Sequence, residues 1–115
     1  MASEDAVRPR RAVDGLGHSV KSLPPNAEAY RRTPEFTAST IPPGLMRQHR
    51  TKRGVWGRIR VLEGSLLYRV LSTEREEHVL SPAIAGVVEP EVPHEIEPIG
   101  PVRFYVEFLR VDGAS

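Results

Sequence analysis

The chain has 115 residues, 27% of them charged, and a formal net charge of +1 at neutral pH. That length holds one domain of ordinary size, and so small a net charge predicts no nucleic-acid partner and no steering of acidic substrates. With no cysteine, disulfide frameworks, thiol nucleophiles, cysteine-ligated zinc and iron–sulfur clusters are excluded.

Residues 1–28 read as a flexible N-terminal arm. Apolar residues there are sparse and without period, and Pro9, Gly15, Gly17, Pro24 and Pro25 interrupt any helix. Such a stretch buries too little apolar area to offset its ordering entropy. The basic triplet Arg8, Arg10 and Arg11 fits a solvated tail. The arm has no apolar secretory core, and no apolar run in the chain approaches the ~20 residues that span a bilayer. The expectation is a cytoplasmic protein with no membrane partner.

From residue 29 to 113 the pattern is that of short strands. Phe36–Ile41 and Leu45–Thr51 are the first candidates. In Val55–Leu62, Val55, Gly57, Ile59 and Val61 alternate with Trp56, Arg58, Arg60 and Leu62. Glu63-Gly64 then reads as a tight turn closing a hairpin onto Ser65–Leu71. Glu77–Leu80, Gly86–Glu89 and His94–Glu97 follow. Last comes Pro101–Val111, where Val102, Phe104, Val106 and Phe108 alternate with Arg103, Tyr105, Glu107 and Leu109. Prolines 42, 43, 82, 90, 93, 98 and 101 fall at the breaks. About eight short strands at this spacing predict an all-β sandwich, jelly roll or small barrel.

Charge is uneven along the chain. Six basic residues and no acid lie between Phe36 and Leu62, whereas seven acids and one base lie between Glu74 and Glu97. Complementary faces of one sheet, or of a dimer interface, account for this pattern.

Chemistry-bearing residues are few. No nucleophile elbow, phosphate loop or Ser-His-Asp arrangement is present. His18 lies in the arm, and His78 stands beside Glu76-Glu77, which predicts solvent exposure for both. His49 and His94 each follow a proline-bearing turn. His94 shares the rigid frame Pro90-Glu91-Val92-Pro93 with Glu91, which lowers the entropy lost on fixing two metal ligands. Glu107 adds an oxygen donor if its face of the strand points inward. The competing reading of His49 is a hydrogen-bonded structural histidine. Trp56, the only tryptophan, is a candidate pocket wall or a packed core aromatic.

Three segments carry a family resemblance: Tyr30–Thr37, Ile41-Pro42-Pro43-Gly44-Leu45, and His49 through Gly57. With Gly86–His94 and Pro101–Phe108, they resemble the small cupin-like TehB/YeaR-like family, found at the N-terminus of tellurite-resistance methyltransferases and as free-standing proteins. The resemblance spans about residues 29–110. It implies a cupin-like double-stranded β-helix, a jelly-roll barrel whose two metal-carrying motifs face one cavity. Gly44, His49 and Gly64 fall on the first motif. Thr51 and Trp56 occupy positions where that motif has its second histidine and its glutamate. His94 falls on the second motif. Two of the usual four ligands are therefore kept, and Glu91, then Glu89 and Glu107, with Thr51 last, are the further donors.

The function expected is a metal-binding, cupin-like domain that binds a small molecule or oxyanion, related to tellurite-resistance and stress-response proteins. Zinc or iron would sit on His49, Glu91, His94 and Glu107. Arg58, Arg60 or Arg103 would neutralise an anionic ligand, with Thr51, Trp56, Glu89 and Tyr105 as further contacts. Two alternatives stand: a metal-dependent oxygenase, isomerase or hydrolase at the same site, and a structural module without metal. Homodimers are expected, because a chain of this size has little core of its own. Methylation belongs to another domain of the tellurite-resistance methyltransferases and is not carried over.

Overall fold

The computed structural model describes residues 22–47 and 49–111. The basic triplet, His18 and most of the expected arm lie outside them. The described residues form six strands: β1 (Ala27–Arg32), β2 (Phe36–Thr37), β3 (Val55–Val70), β4 (Glu76–Leu80), β5 (Gly86–Val88) and β6 (His94–Val111). One 3-10 turn, Pro43–Met46, is the only helical element among them. Every strand pairing is antiparallel. The all-β, jelly-roll-like fold expected from the alternation is the one the chain adopts.

Two long strands organise the domain. The first half of β3 pairs with the second half of β6, from Val55↔Arg110 to Val61↔Phe104; the remaining halves pair from Ser65↔Ile99 to Val70↔His94. The first pairing is widened by β1 and β2 on β6 and by β5 on β3; the second is widened by β4 on β3. Residues from both halves meet in one core. Ile59, Val61, Val88, Val102 and Phe104 come from the first, and Leu66, Tyr68, Leu80 and Ile96 from the second. Each strand presents alternate residues to this core, which is why the period of two was readable.

The bend between the halves replaces an expected turn. Glu63-Gly64 does not close a hairpin; it lies inside β3, where the register shifts between Val61 and Glu63 and again between Gly64 and Ser65. Gly64 has φ +82°, and a Cβ there would lie 2.1 Å from the carbonyl oxygen of Pro101. A glycine is therefore required to let the two bent strands approach. Opposite it, Pro98 and Pro101 do not end a strand either, because β6 runs through both. Proline removes a donor at its own position, and β6 tolerates that at the bend, where the ladder is already shifted.

Other expectations are also revised. Phe36–Ile41 keeps only two strand residues, since Thr40 N–H turns back to the Thr37 carbonyl at 3.0 Å. Leu45–Thr51 is a 3-10 turn followed by a single bridge at His49. Six strands rather than about eight result among the described residues: β3 and β6 each merge two candidates, Leu45–Thr51 is lost and β1 is gained. Strand β1 was not foreseen. It begins at Ala27, inside the expected arm, and is exposed along five of its six residues, so alternation carried no signal. Its arginines stack on aromatic rings, Arg31 on Phe108 and Arg32 on Tyr105 at 5.3 and 4.3 Å from the ring centres.

Candidate functional site

The 3-10 turn and the residues after it carry His49 to the start of β6. There His49 and His94 form an isolated antiparallel bridge. His49 N–H donates to the His94 carbonyl at 2.7 Å, and His94 N–H donates back at 2.8 Å. The rings stand edge to face with centres 5.3 Å apart. A third ring, that of Tyr68, lies 5.9 Å from His94.

Both histidines line a cavity of about 40 Å³ together with Thr33, Leu45, Thr51, Gly57, Ile59, Val88, Ile96, Val106 and Phe108. Among the described residues, no lysine, arginine, aspartate or glutamate is in that lining. Its two hydroxyls are already engaged. Thr51 Oγ1 donates to the Val55 carbonyl at 2.7 Å. Thr33 Oγ1 donates to the Pro34 carbonyl at 2.8 Å and accepts from Val106 N–H at 3.0 Å. The Thr51 hydroxyl keeps its acceptor lone pairs, and with the two imidazoles it makes up the polar part of the lining.

His94 is buried, and its Nδ1 lies 3.2 Å from the Val92 carbonyl. A carbonyl only accepts, so Nδ1 carries the proton and the Nε2 lone pair is left bare in the neutral ring. Burial lowers the His94 pKa, opposed by the Val92 hydrogen bond and aided by nearby His49. His49 differs: its Nδ1 is buried and has no hydrogen-bond partner among the described residues. A buried polar atom without a partner costs free energy, roughly 1–3 kcal/mol.

Several expected site residues stand elsewhere. Trp56, Arg58 and Arg60 alternate with Gly57 and Ile59 along β3, so they project from the other face of the sheet. Arg103, Tyr105 and Glu107 do the same along β6, between Val102, Phe104, Val106 and Phe108. The inward-facing condition for Glu107 is thus not met. Glu107 accepts a 2.6 Å hydrogen bond from Arg58 Nε, its direct cross-strand neighbour. Arg103 pairs with Glu35 and Glu63 at 2.8 and 3.0 Å.

Glu91 is exposed, at φ +64°, in the turn before His94. Its N–H holds the Thr51 carbonyl at 3.2 Å, but its side chain is absent from the cavity lining. Glu89 is half-buried and close enough to raise the Tyr68 pKa, and it too is absent from the lining. Part of the acidic 74–97 stretch pairs within its own half of the sheet: Glu77, Glu95 and Glu97 converge on Arg69.

Protein-held zinc or non-haem iron ordinarily takes at least three protein donors. Among the described residues, no group of three or more histidine, aspartate or glutamate side chains is arranged to hold an ion. The donor set here, two imidazoles without a carboxylate, does not fit a resident centre of that kind.

Two inward residues escaped the sequence reading. His78 is half-buried rather than exposed; it faces Tyr68 across the strands, with ring centres 6.2 Å apart and Nε2 3.0 Å from Glu76. Tyr68 donates its hydroxyl to the Val87 carbonyl at 3.0 Å, and burial first, then Glu76 and Glu89, push its pKa up. The signal for both was available: Tyr68 shares a face with apolar Leu66 and Val70, and antiparallel pairing carries that face to His78.

No helix among the described residues is long and apolar enough to cross a membrane. Comparison with known proteins agrees with the fold. The family description "TehB-like domain" matches residues 31–106. A probable S-adenosyl-L-methionine-dependent methyltransferase TehB from Haemophilus influenzae is 32% identical over 72 residues, covering 59% of this chain and 25% of that protein. The chain thus spans about a quarter of that curated relative. The crystal structure of TehB from Haemophilus influenzae superposes with a TM-score of 0.70 and 26% identity, over 76% of this chain and 32% of that one. A structure from Escherichia coli K12 has the same TM-score at 25% identity, over 78% of this chain and 96% of that one. The chain belongs to the TehB-like domain family, related to tellurite-resistance proteins.

Proposed function

We propose that this domain binds a small molecule inside the barrel, seated on His49 and His94. The observation that carries the reading is the mostly apolar cavity that His49 and His94 line side by side, held there by their backbone bridge. Pockets of this kind, mostly apolar with a few convergent polar atoms, are how proteins orient small ligands. Binding rather than turnover is favoured because the described residues of the lining offer no carboxylate or cationic side chain beside the rings. The arginines expected to neutralise an oxyanion project from the opposite face, so the ligand is not held by them.

The test uses the histidine ring ¹⁵N resonances of the full chain. Small neutral, anionic and cationic compounds, with zinc and ferrous ions, are added one at a time. A true ligand moves the His49 and His94 rings together and leaves His78 in place. The response disappears in His49→Phe. Ligands that perturb only the Arg58 and Arg60 face would place the site outside the barrel and sink the reading.

A further inference from the structure

We infer that two copies of this chain join through the outer edge of β1, antiparallel and about a two-fold axis, with Glu28 of each strand set opposite Arg31 of the other. The inference is independent of the cavity and its occupant.

Strand β1 ends its sheet. It pairs with β6 on one side, and no strand of the described residues pairs with its other side. Such an edge presents a row of backbone donors and acceptors that can receive one more strand. The ladder identifies the residues in that row. Thr33 N–H is given to the Val106 carbonyl at 2.9 Å. Main chains in an antiparallel ladder turn alternately toward and away from the partner strand. Phe108 and Arg110 follow Val106 at two-residue steps, so their partners, Arg31 and Glu28, also direct their main-chain groups to β6. Ala27, Ala29 and Arg32 stand opposite the intervening residues and turn theirs outward.

The register decides where the side chains go. Glu28 and Arg31 are three apart in β1, which in a regular strand would put them on opposite faces. Tyr30 is the extra residue, because the register shifts between Ala29 and Arg31. Glu28 and Arg31 therefore stand opposite Arg110 and Phe108, two apart on β6, and share one face. A second β1 laid along the free edge, about an axis between Ala29 and Tyr30, faces each Glu28 with an Arg31. The same axis sets Ala27 opposite Arg32, and both of these turn their main chains to the edge. Moving the axis onto Glu28 or Arg31 would face like charges instead.

Charge selects a second copy as the partner. Glu28 and Arg31 are both exposed, and neither enters an ion pair among the described residues. A strand that carries both signs at mirrored positions is complementary to itself, as a two-fold interface requires. The Arg31 guanidinium already rests over the Phe108 ring, 5.3 Å from its centre, so less of its freedom is lost when a carboxylate arrives.

Sedimentation velocity of the full chain across about 1 µM to 1 mM should show a reversible dimer with Kd of about 1–100 µM, as suits one short strand pairing. Glu28→Arg and Arg31→Glu each weaken it at least about tenfold. The two substitutions together in one chain restore it, because the pair is only reversed. Hydrogen exchange of the unmodified chain supplies a second arm: the amides of Ala27, Ala29 and Arg32 gain protection as the dimer forms. A monomer throughout that range, or a dimer indifferent to either charge reversal, would overturn the inference. Loss in both single variants without rescue in the double would do the same. Protection of the three amides in a chain that stays monomeric would mean that the chain's own residues 1–21 cover the edge, and this too overturns it.

Discussion

His49 and His94 are tied backbone to backbone by hydrogen bonds of 2.7 and 2.8 Å, although the whole of β3, β4 and β5 lies between them in sequence. This bridge joins the connection after the 3-10 turn to the start of β6. It holds both imidazoles against one mostly apolar cavity.

His49→Phe is expected to stabilise the ligand-free domain. The substitution removes a buried unpartnered nitrogen and adds apolar volume beside a cavity. A gain of about 1 kcal/mol is expected, or roughly 4–8 °C in Tm for a domain of this size. Differential scanning calorimetry of both proteins measures it. A lower midpoint for the variant would mean that the ring makes a stabilising contact in solution.

Acid should weaken the fold through His94. Burial holds its pKa below the ordinary histidine value in the folded state, so the unfolded chain takes up the proton first as pH falls. The contribution is fully kept above the unfolded pKa of ~6.5. It is lost progressively as pH drops through that value toward the lowered folded one. Urea midpoints measured between pH 8 and pH 5 should show the decline, and His94→Gln should flatten it. An identical slope in the variant would assign the acid sensitivity to other groups.

The two faces of the sheet should separate in their effects. Glu107→Ala strips the partner from Arg58, whose side chain is only 28% exposed. A loss of about 1–2 kcal/mol is expected, between the values for surface and buried pairs. Ring shifts of His49 and His94 on ligand addition should be unaltered. Lost ligand response in a folded Glu107→Ala protein would tie that face to the cavity.

Gly64 and Gly100 offer a matched comparison. Both have positive φ, but a Cβ at Gly64 meets the Pro101 carbonyl at 2.1 Å, whereas one at Gly100 meets nothing within 4 Å. Gly100→Ala should cost about 1–2 kcal/mol from backbone conformation alone. Gly64→Ala should cost more than about 3 kcal/mol, because the clash adds to that strain. Chemical denaturation distinguishes them; equal losses would remove the close approach as the reason for Gly64.

The parts of the fold that sequence made legible share one property. In Val55–Val61 and Val102–Phe108 each residue's partition between core and surface repeats every second position, and strands impose that period whatever their neighbours. Strand β1 lacks it, because an edge strand exposed on both sides selects for nothing apolar. Glu63-Gly64 misled for a different reason. A glycine with positive φ serves a hairpin turn and a bulge equally, and only the Pro101 carbonyl facing it distinguishes the two.

For the site, the chain's own residues singled out His49 and His94 by their place after proline-bearing turns, and the family resemblance set them in one hollow. They could not reveal that Glu107 and Arg58 neutralise each other on the far face, nor that Glu91 turns outward at positive φ. The order of residues along a strand fixes which side chains share a face. Which face becomes the interior depends on how the two halves of β3 and β6 fold over one another, and that is decided by packing between distant segments. Thus all-β character and the two histidines were properties of the sequence, whereas the lack of charged side chains around them among the described residues is a property of the tertiary fold alone.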